Sequence, residues 1–272
     1  MNKEKISHIL RGEGIDLFAF LSLCECKVTK KYLLDKAGIE GGSVIMLAVP
    51  YVSEDFGTGN LSEYAKCNDY HLFWREFFDR VIPMLSKEFP LYRFSGFSDH
   101  SPIDERDAAA LGGLGIIGRN SLLITEKYSS FVFLGEIVTD MAIESDAASI
   151  RYCEDCGACL KACPISFDPT LPCLSSVTQK KGALTDSEVL FIKKHRTAWG
   201  CDLCQTVCPH TQRALKNKTI YSRLPFFTQN RLPFITYSLV SMMDDMDFAR
   251  RAYSWRGRQT VLRNLEILEE DD

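Results

Sequence analysis

Residues 153–164 read CEDCGACLKACP and residues 201–209 read CDLCQTVCP, and these two runs decide how the chain is built. In the first, Cys153, Cys156, Cys159 and Cys163-Pro164 give CxxCxxCxxxCP, the spacing in which three thiolates hold one 4Fe-4S cluster and the fourth reaches a neighbouring one. In the second, Cys201, Cys204 and Cys208-Pro209 give CxxCxxxCP, one ligand short of a second complete run. By the crossover logic of two-cluster ferredoxins, Cys153, Cys156 and Cys159 take Cys208, while Cys201 and Cys204 take Cys163. Cys173 is the remaining cysteine of this segment and completes the second set. A tetrahedral zinc ribbon is the plainer alternative, but it uses four cysteines and leaves Cys159, Cys163, Cys173 and Cys208 without a role. The sequence therefore predicts two 4Fe-4S clusters and redox chemistry.

Working outward, eight of the eleven cysteines fall between Cys153 and Cys208, and the earlier part of the chain holds only Cys24, Cys26 and Cys67. A disulfide framework belongs to short secreted chains. Here the apolar run Leu17–Leu23 is preceded by Glu13 and Asp16 and followed by no small-residue cleavage site, so it does not read as an export signal. No stretch approaches the ~20 apolar residues of a membrane span. A cytoplasmic protein with no membrane partner is expected, monomeric, with Cys24 and Cys26 structural. The formal charge of −4 gives no global case for nucleic acid. Residues 209–264 nevertheless carry ten Lys and Arg (Arg213, Lys216, Lys218, Arg223, Arg231, Arg250, Arg251, Arg256, Arg258, Arg263) against Asp244, Asp245 and Asp247. That stretch is a solvated helical face or a phosphate-binding surface.

The local patterns predict a mixture of elements. SVIMLAVPYV at 43–52 reads as a buried strand. From Asn60 or Ser62 onward, three- and four-residue apolar spacing predicts one long helix with a kink at Pro83. Residues 92–97 make a short strand. Ser101-Pro102 reads as the cap and first residue of a helix that Gly112-Gly113 ends. The apolar runs 121–125 and 131–139 read as a hairpin. The glycines of GGLGIIG do not fit GxGxxG, which argues against a dinucleotide fold. The fold class is α+β, in three parts: residues 1–145, a double-cluster segment 146–212, and a helical segment 213–272.

The ordered series SDHSPIDERDAAALGGLGIIGRNSLLIT, FVFLGEIVTD, CEDCGACLKACP, CLSSVTQ and CDLCQTVCP, beginning near YAKCNDYH, resembles the epoxyqueuosine reductase family. The resemblance runs from about Tyr64 to Pro209. It implies a nitroreductase-like cobalamin-binding catalytic domain, a ferredoxin-like double 4Fe-4S domain and a short helical tail. It also implies reduction of an epoxide to an alkene in queuosine biosynthesis or salvage. Asp99 matches the family's acidic residue before the Ser-Pro, taken to donate a proton; its plainer reading is a turn aspartate. Cobalamin contacts are implied at Cys67, Leu123, Ile124, Thr125, Leu134, Asp202 and Leu203, with Tyr70 and His71 as further pocket candidates. Leu123 and Leu134 would otherwise be core, and Cys67 a buried thiol. The substrate implied is a queuosine precursor on tRNA or free, and the electron donor a reduced ferredoxin or flavodoxin type. Family members continue into tRNA-gripping helical repeats, of which YSWRGRQTVLRNLEIL is the expected beginning. Two alternatives are cobalt chemistry on another small molecule and a non-catalytic iron-sulfur electron carrier.

Overall fold

The computed structural model describes residues 2–270, which form two compact units. The first comprises the residues up to Pro50 together with His71–Asp155; the second comprises Tyr51–Tyr70 and the residues from Cys156 on. This division differs from the three consecutive parts read in the sequence.

The first unit is built on an antiparallel sheet in the order β1 (Leu17–Ser22), β2 (Ser43–Pro50), β6 (Val132–Thr139), β3 (Phe94–Phe97). Every residue of β2 is buried, which explains its unbroken apolar sequence: it is an inner strand covered on both faces. Register sets Leu17 opposite Ala48, Ser43 opposite Thr139, and Phe94 opposite Thr139. The helices of this unit are α1 (Asn2–Gly12), α2 (Lys31–Ala37), α3 (Tyr70–Glu88) and α4 (Glu105–Leu111). Helix α3 buries Phe73, Trp74, Phe77, Val81 and Leu85 along one stripe. The sheet admits these rings through glycines: a Cβ on Gly135 would lie 2.8 Å from Trp74, and one on Gly96 would lie 2.4 Å from Phe78. Small residues Ala108–Ala110 of α4 share a second core with Ala19, Val44, Met46 and Ala48.

Three local expectations are corrected. The long helix begins at Tyr70 and runs through Pro83, while Glu63–Ala65 is a separate single turn belonging to the other unit. Helix α4 is capped by Asp104, whose side chain accepts from Asp107 N; Ser101 instead turns its hydroxyl onto Ile103. The runs 121–125 and 131–139 do not pair as a hairpin, because β5 (Leu123–Ile124) pairs with β4 (Ile116–Ile117) and β6 joins the main sheet. The Leu17–Leu23 run is strand β1 and the start of the turn after it.

Gly42 leads into β2 at φ +109°, and a Cβ there would lie 2.2 Å from Thr139 O, a backbone atom that cannot step aside. Gly42→Ala is expected to cost about 1–3 kcal/mol, read as a lower urea midpoint.

In the second unit, short helices wrap a core around Trp199, which is fully buried. They are α5 (Ala158–Ala162), α6 (Leu174–Thr178), α7 (Asp186–His195), α8 (Leu203–Thr206), α9 (Pro209–Lys216), α10 (Pro225–Thr228), α11 (Tyr237–Met242), α12 (Asp245–Ala249) and α13 (Arg258–Glu269). Helix α13 contributes Val261, Leu262, Leu265, Ile267 and Leu268 to that core. Its Asn264, also buried, donates to Thr178 O and Ala198 O. Residues 51–70 are woven in by bridges of Val52 to Tyr221, Leu61 to Trp199 and Asn68 to Arg251. No helix among the described residues is long and apolar enough to cross a membrane.

Candidate functional site

The first unit places Asp99 just beyond β3, in the left-handed region at φ +60°, a conformation aspartate tolerates better than most side chains. Its backbone N–H donates to Glu105 Oε1 at 3.1 Å, tying the turn to the first residue of α4. Its carboxylate Oδ2 lies 3.2 Å from His71 Nε2 on α3, with both side chains about half exposed. A contact of this length between an imidazole nitrogen and a carboxyl oxygen requires a proton between them. The structure therefore joins Asp99 and His71, two of the sequence candidates, in a solvent-reachable pair.

Leu123 and Ile124 are buried in β5, whose ladder partner is β4. Thr125 is buried too, with its hydroxyl donating to Ser129 O and accepting from Tyr128 N. Leu134 is half-buried on β6, and its carbonyl accepts from Ser98 Oγ at 3.2 Å. Toward a corrin, this group offers apolar edges and main-chain polar groups; the Thr125 hydroxyl is already spent inside the fold.

Sequence reasoning missed a buried acid behind Asp99. Glu136, on β6, is fully buried, and no N–H group bonds either carboxyl oxygen, the Ser101 hydroxyl being the one donor beside it. Burial, reinforced by the charge of neighbouring Glu105, pushes its pKa well above the carboxylate range. Glu105 is pushed up as well, chiefly by burial. The signal was present in FVFLGEIVTD: one acid inside an otherwise apolar strand.

In the second unit, Cys67 is fully buried, its thiol on Tyr64 O, and burial pushes it up to about 12. Asp202 accepts from Glu63 N at 2.6 Å and from Gln205 Nε2 at 3.0 Å; burial raises its pKa to about 7. Leu203 begins α8, and Tyr70 is half-buried at the start of α3. A second feature that the sequence reading overlooked is a buried ion cluster. Lys66 reaches Glu63 at 2.6 Å, and Arg231 reaches Asp55 at 2.8 Å and Glu63 at 3.3 Å.

None of the eleven cysteines is in a disulfide. Cys153 lies in the first unit and accepts from Arg119 N at 3.3 Å. The other seven predicted ligands lie in the second unit. There Cys159 is in α5 and Cys163 at its end; Cys204 is in α8; Cys173 and Cys208 precede α6 and α9; and α5 packs against α8. Burial pushes the Cys201 thiol up to about 12, with the charges of Cys173 and Cys204 among the neighbours that add to it. Among the described residues, no three His, Cys, Asp or Glu side chains are gathered tightly enough for a single metal ion. A cubane cluster is larger than an ion and spreads its thiolates more widely. Thiols outside any disulfide at two matched runs suit it in donor chemistry and number. Cys24 is exposed beside Ser22 Oγ, and Cys26 is buried on Ser22 O.

Much of the basic stretch is internal wiring. Arg231 serves the ion cluster, Arg251 bonds Asn230 O, Arg258 bonds Val240 O and Asp245, and Arg263 bonds Lys180 O and Gly182 O. Arg213, Lys216 and Lys218, on and just after α9, are exposed.

No family model matches the chain. An epoxyqueuosine reductase of Gloeobacter violaceus is 32% identical over 218 residues, covering 76% of this chain and 68% of that protein. The epoxyqueuosine reductase of Listeria monocytogenes is 32% identical over 213 residues, covering 74% of this chain and 54% of that protein. Among solved structures, epoxyqueuosine reductase from Streptococcus thermophilus aligns with a TM-score of 0.78 at 25% identity, over 98% of this chain and 81% of that one. An epoxyqueuosine reductase crystallised with a tRNA-Tyr epoxyqueuosine-modified stem loop shares the fold, with a TM-score of 0.75 at 22% identity, over 98% of this chain and 80% of that one.

Proposed function

Because the chain belongs to the epoxyqueuosine reductase family of oxidoreductases, we propose that it reduces the epoxide of a queuosine precursor to an alkene, using Asp99 as the acid. The observation that carries this reading is the Asp99–His71 pair, a solvent-reachable carboxyl within hydrogen-bond distance of an imidazole nitrogen. Removing an epoxide oxygen breaks two C–O bonds and releases water, so the reaction consumes two electrons and two protons. When bound, cobalamin fed by two 4Fe-4S clusters would supply the electrons. Asp99 delivers a proton to the departing oxygen, since an alkoxide is a poor leaving group near neutral pH. His71 returns a proton to Asp99 or holds it in place, and the N–H bond to Glu105 fixes where that carboxyl stands.

In this reading the first unit is the nitroreductase-like cobalamin domain, and Leu123, Ile124, Thr125 and Leu134 meet the corrin through main chain and apolar edges. Asp202, Leu203 and Cys67 keep the expected role of corrin contacts, and the ferredoxin-like part holds the clusters. Cys153, Cys156, Cys159 and Cys208 bind one cluster; Cys163, Cys173, Cys201 and Cys204 bind the other. The nearness of Cys173 and Cys204 to Cys201 supports the second set. A reduced ferredoxin or flavodoxin-type protein is the donor, and exposed Arg213, Lys216 and Lys218 suit a tRNA-borne precursor.

Anaerobic preparation with cobalamin supplied, followed by iron and cobalt analysis and an assay on modified tRNA and on the free nucleoside, tests the reading. About eight irons and one cobalt per chain with alkene formation are expected. Turnover on tRNA alone that weakens with salt supports the phosphate contacts. Eight irons with neither cobalt nor alkene would make the chain an electron carrier. Cys173→Ala is expected to halve the iron to about four per chain; an unchanged count would remove Cys173 from the ligand set.

A further inference from the structure

Glu136 stands in an environment that an ionised carboxylate cannot occupy cheaply. It is fully buried on an inner strand of the sheet, no N–H group bonds either oxygen, and the Ser101 hydroxyl is the one O–H donor beside it. Its neighbour is another carboxyl, that of Glu105 at the start of α4. Two carboxylates only accept, so these two can bond to each other only when one keeps its proton. The other groups that reach the pair are few. Asp99 and Ser101 face it from the loop after β3, Lys30 from the residue before α2, and Cys26 from the turn after β1. Lys30 is the single cation among them, and its charge reaches Glu105. The anionic member of the pair is therefore Glu105 and the protonated member Glu136. Glu105 is also the group that accepts the Asp99 N–H at 3.1 Å and holds Asp99 in its left-handed turn.

We propose that Glu136 and Glu105 share one proton, with Glu136 as its donor, and that this buried carboxyl pair is a positioning device for the acid at Asp99. Its functional half rests on the catalytic reading of Asp99; its chemical half does not. A carboxylate on Glu105 needs the Glu136 proton to remain beside a second acid, and only as a carboxylate does Glu105 grip the Asp99 amide strongly. Loss of that proton at high pH puts two like charges in a dry site and loosens the turn.

The chemical half is read from the full chain without cofactor turnover. A group whose folded pKa lies above its unfolded value of about 4.3 contributes stability below that value and loses it as pH rises toward the folded pKa. Wild type should therefore lose thermal stability through this pair as pH rises above about 4.3 toward the raised folded value. Glu136→Gln keeps a donor toward Glu105 and cannot ionise, so its unfolding temperature should rise relative to wild type across that range. Parallel curves for the two proteins would overturn the shared proton. The functional half is read from kcat. Glu136→Leu, with no donor, should lose about tenfold or more, partly rescued in Glu136→Gln. Full kcat in Glu136→Leu would overturn the positioning role. Failure of the Asp99 reading looks different: Asp99→Asn would then stay active while the pH-dependent stability difference at Glu136 persisted.

Discussion

Asp99→Asn is expected to lower turnover about 10²- to 10⁴-fold while leaving iron content, cobalamin binding and unfolding temperature near those of wild type. Asparagine is the informative replacement because it shares aspartate's tolerance for φ near +60° and keeps an oxygen toward His71. What it removes is the proton that a carboxyl can release to a leaving oxygen. Alanine would confuse that loss with strain in the turn. If the asparagine variant turned over at the wild-type rate on the natural substrate, Asp99 would be a turn residue and another group would supply the proton. A His71→Gln variant separates the two members of the pair. It should lose less than Asp99→Asn, because the acid remains and only its partner changes.

The second large effect concerns stability. Arg231→Met is expected to destabilise the second unit by about 3–5 kcal/mol, seen as a lower urea midpoint with little change in slope. Arg231 is almost wholly buried and satisfies five groups: both oxygens of Asp55 at 2.9 Å, Glu63 at 3.3 Å, Tyr51 O at 3.1 Å and Phe227 O at 3.0 Å. Methionine fills similar volume and supplies no charge, leaving Glu63 with Lys66 and the Gly57 N–H and Asp55 without its cation. Burial already pushes the pKa of Glu63 upward against the pull of Lys66 and Arg231. With Arg231 gone, that carboxyl should titrate higher still, so the variant's deficit should shrink as pH falls and Glu63 becomes neutral. A loss under about 1 kcal/mol would mean that water or a side-chain shift replaces the guanidinium.

The cysteine runs made the redox class legible from the sequence because cluster ligation depends on spacing along the chain, and spacing survives without knowledge of the fold. Strand β2 was legible for a similar reason, its apolar run being long enough to mark an inner strand. The helix from Leu61 was misjudged because the apolar spacing of 61–69 serves a different core: Leu61 and Ala65 pack with Trp199 and Tyr253. Periodicity records that a residue is buried and says nothing about what buries it. The expected hairpin failed because β5 spends its hydrogen bonds on β4 just before it, while β6 spends its own on the distant β2 and β3. Of the site, the Asp99–His71 contact joins two residues whose separation in sequence gives no sign of it. Glu136 carried a readable sign, an acid in an apolar strand.

The threading of residues 51–70 has a consequence for how the protein is made. This segment leaves the ribosome early, yet the residues that complete its bridges, Trp199, Tyr221 and Arg251, are translated far later. At ~5–20 residues per second, its apolar side chains wait on the order of ten to forty seconds for cover. During that interval the nascent chain carries Leu61, Ala65 and Cys67 uncovered, an oxidisable thiol among them. Cells short of chaperone capacity, or slow in translating the codons up to Arg251, should therefore yield less protein for reasons unrelated to the stability of the finished fold.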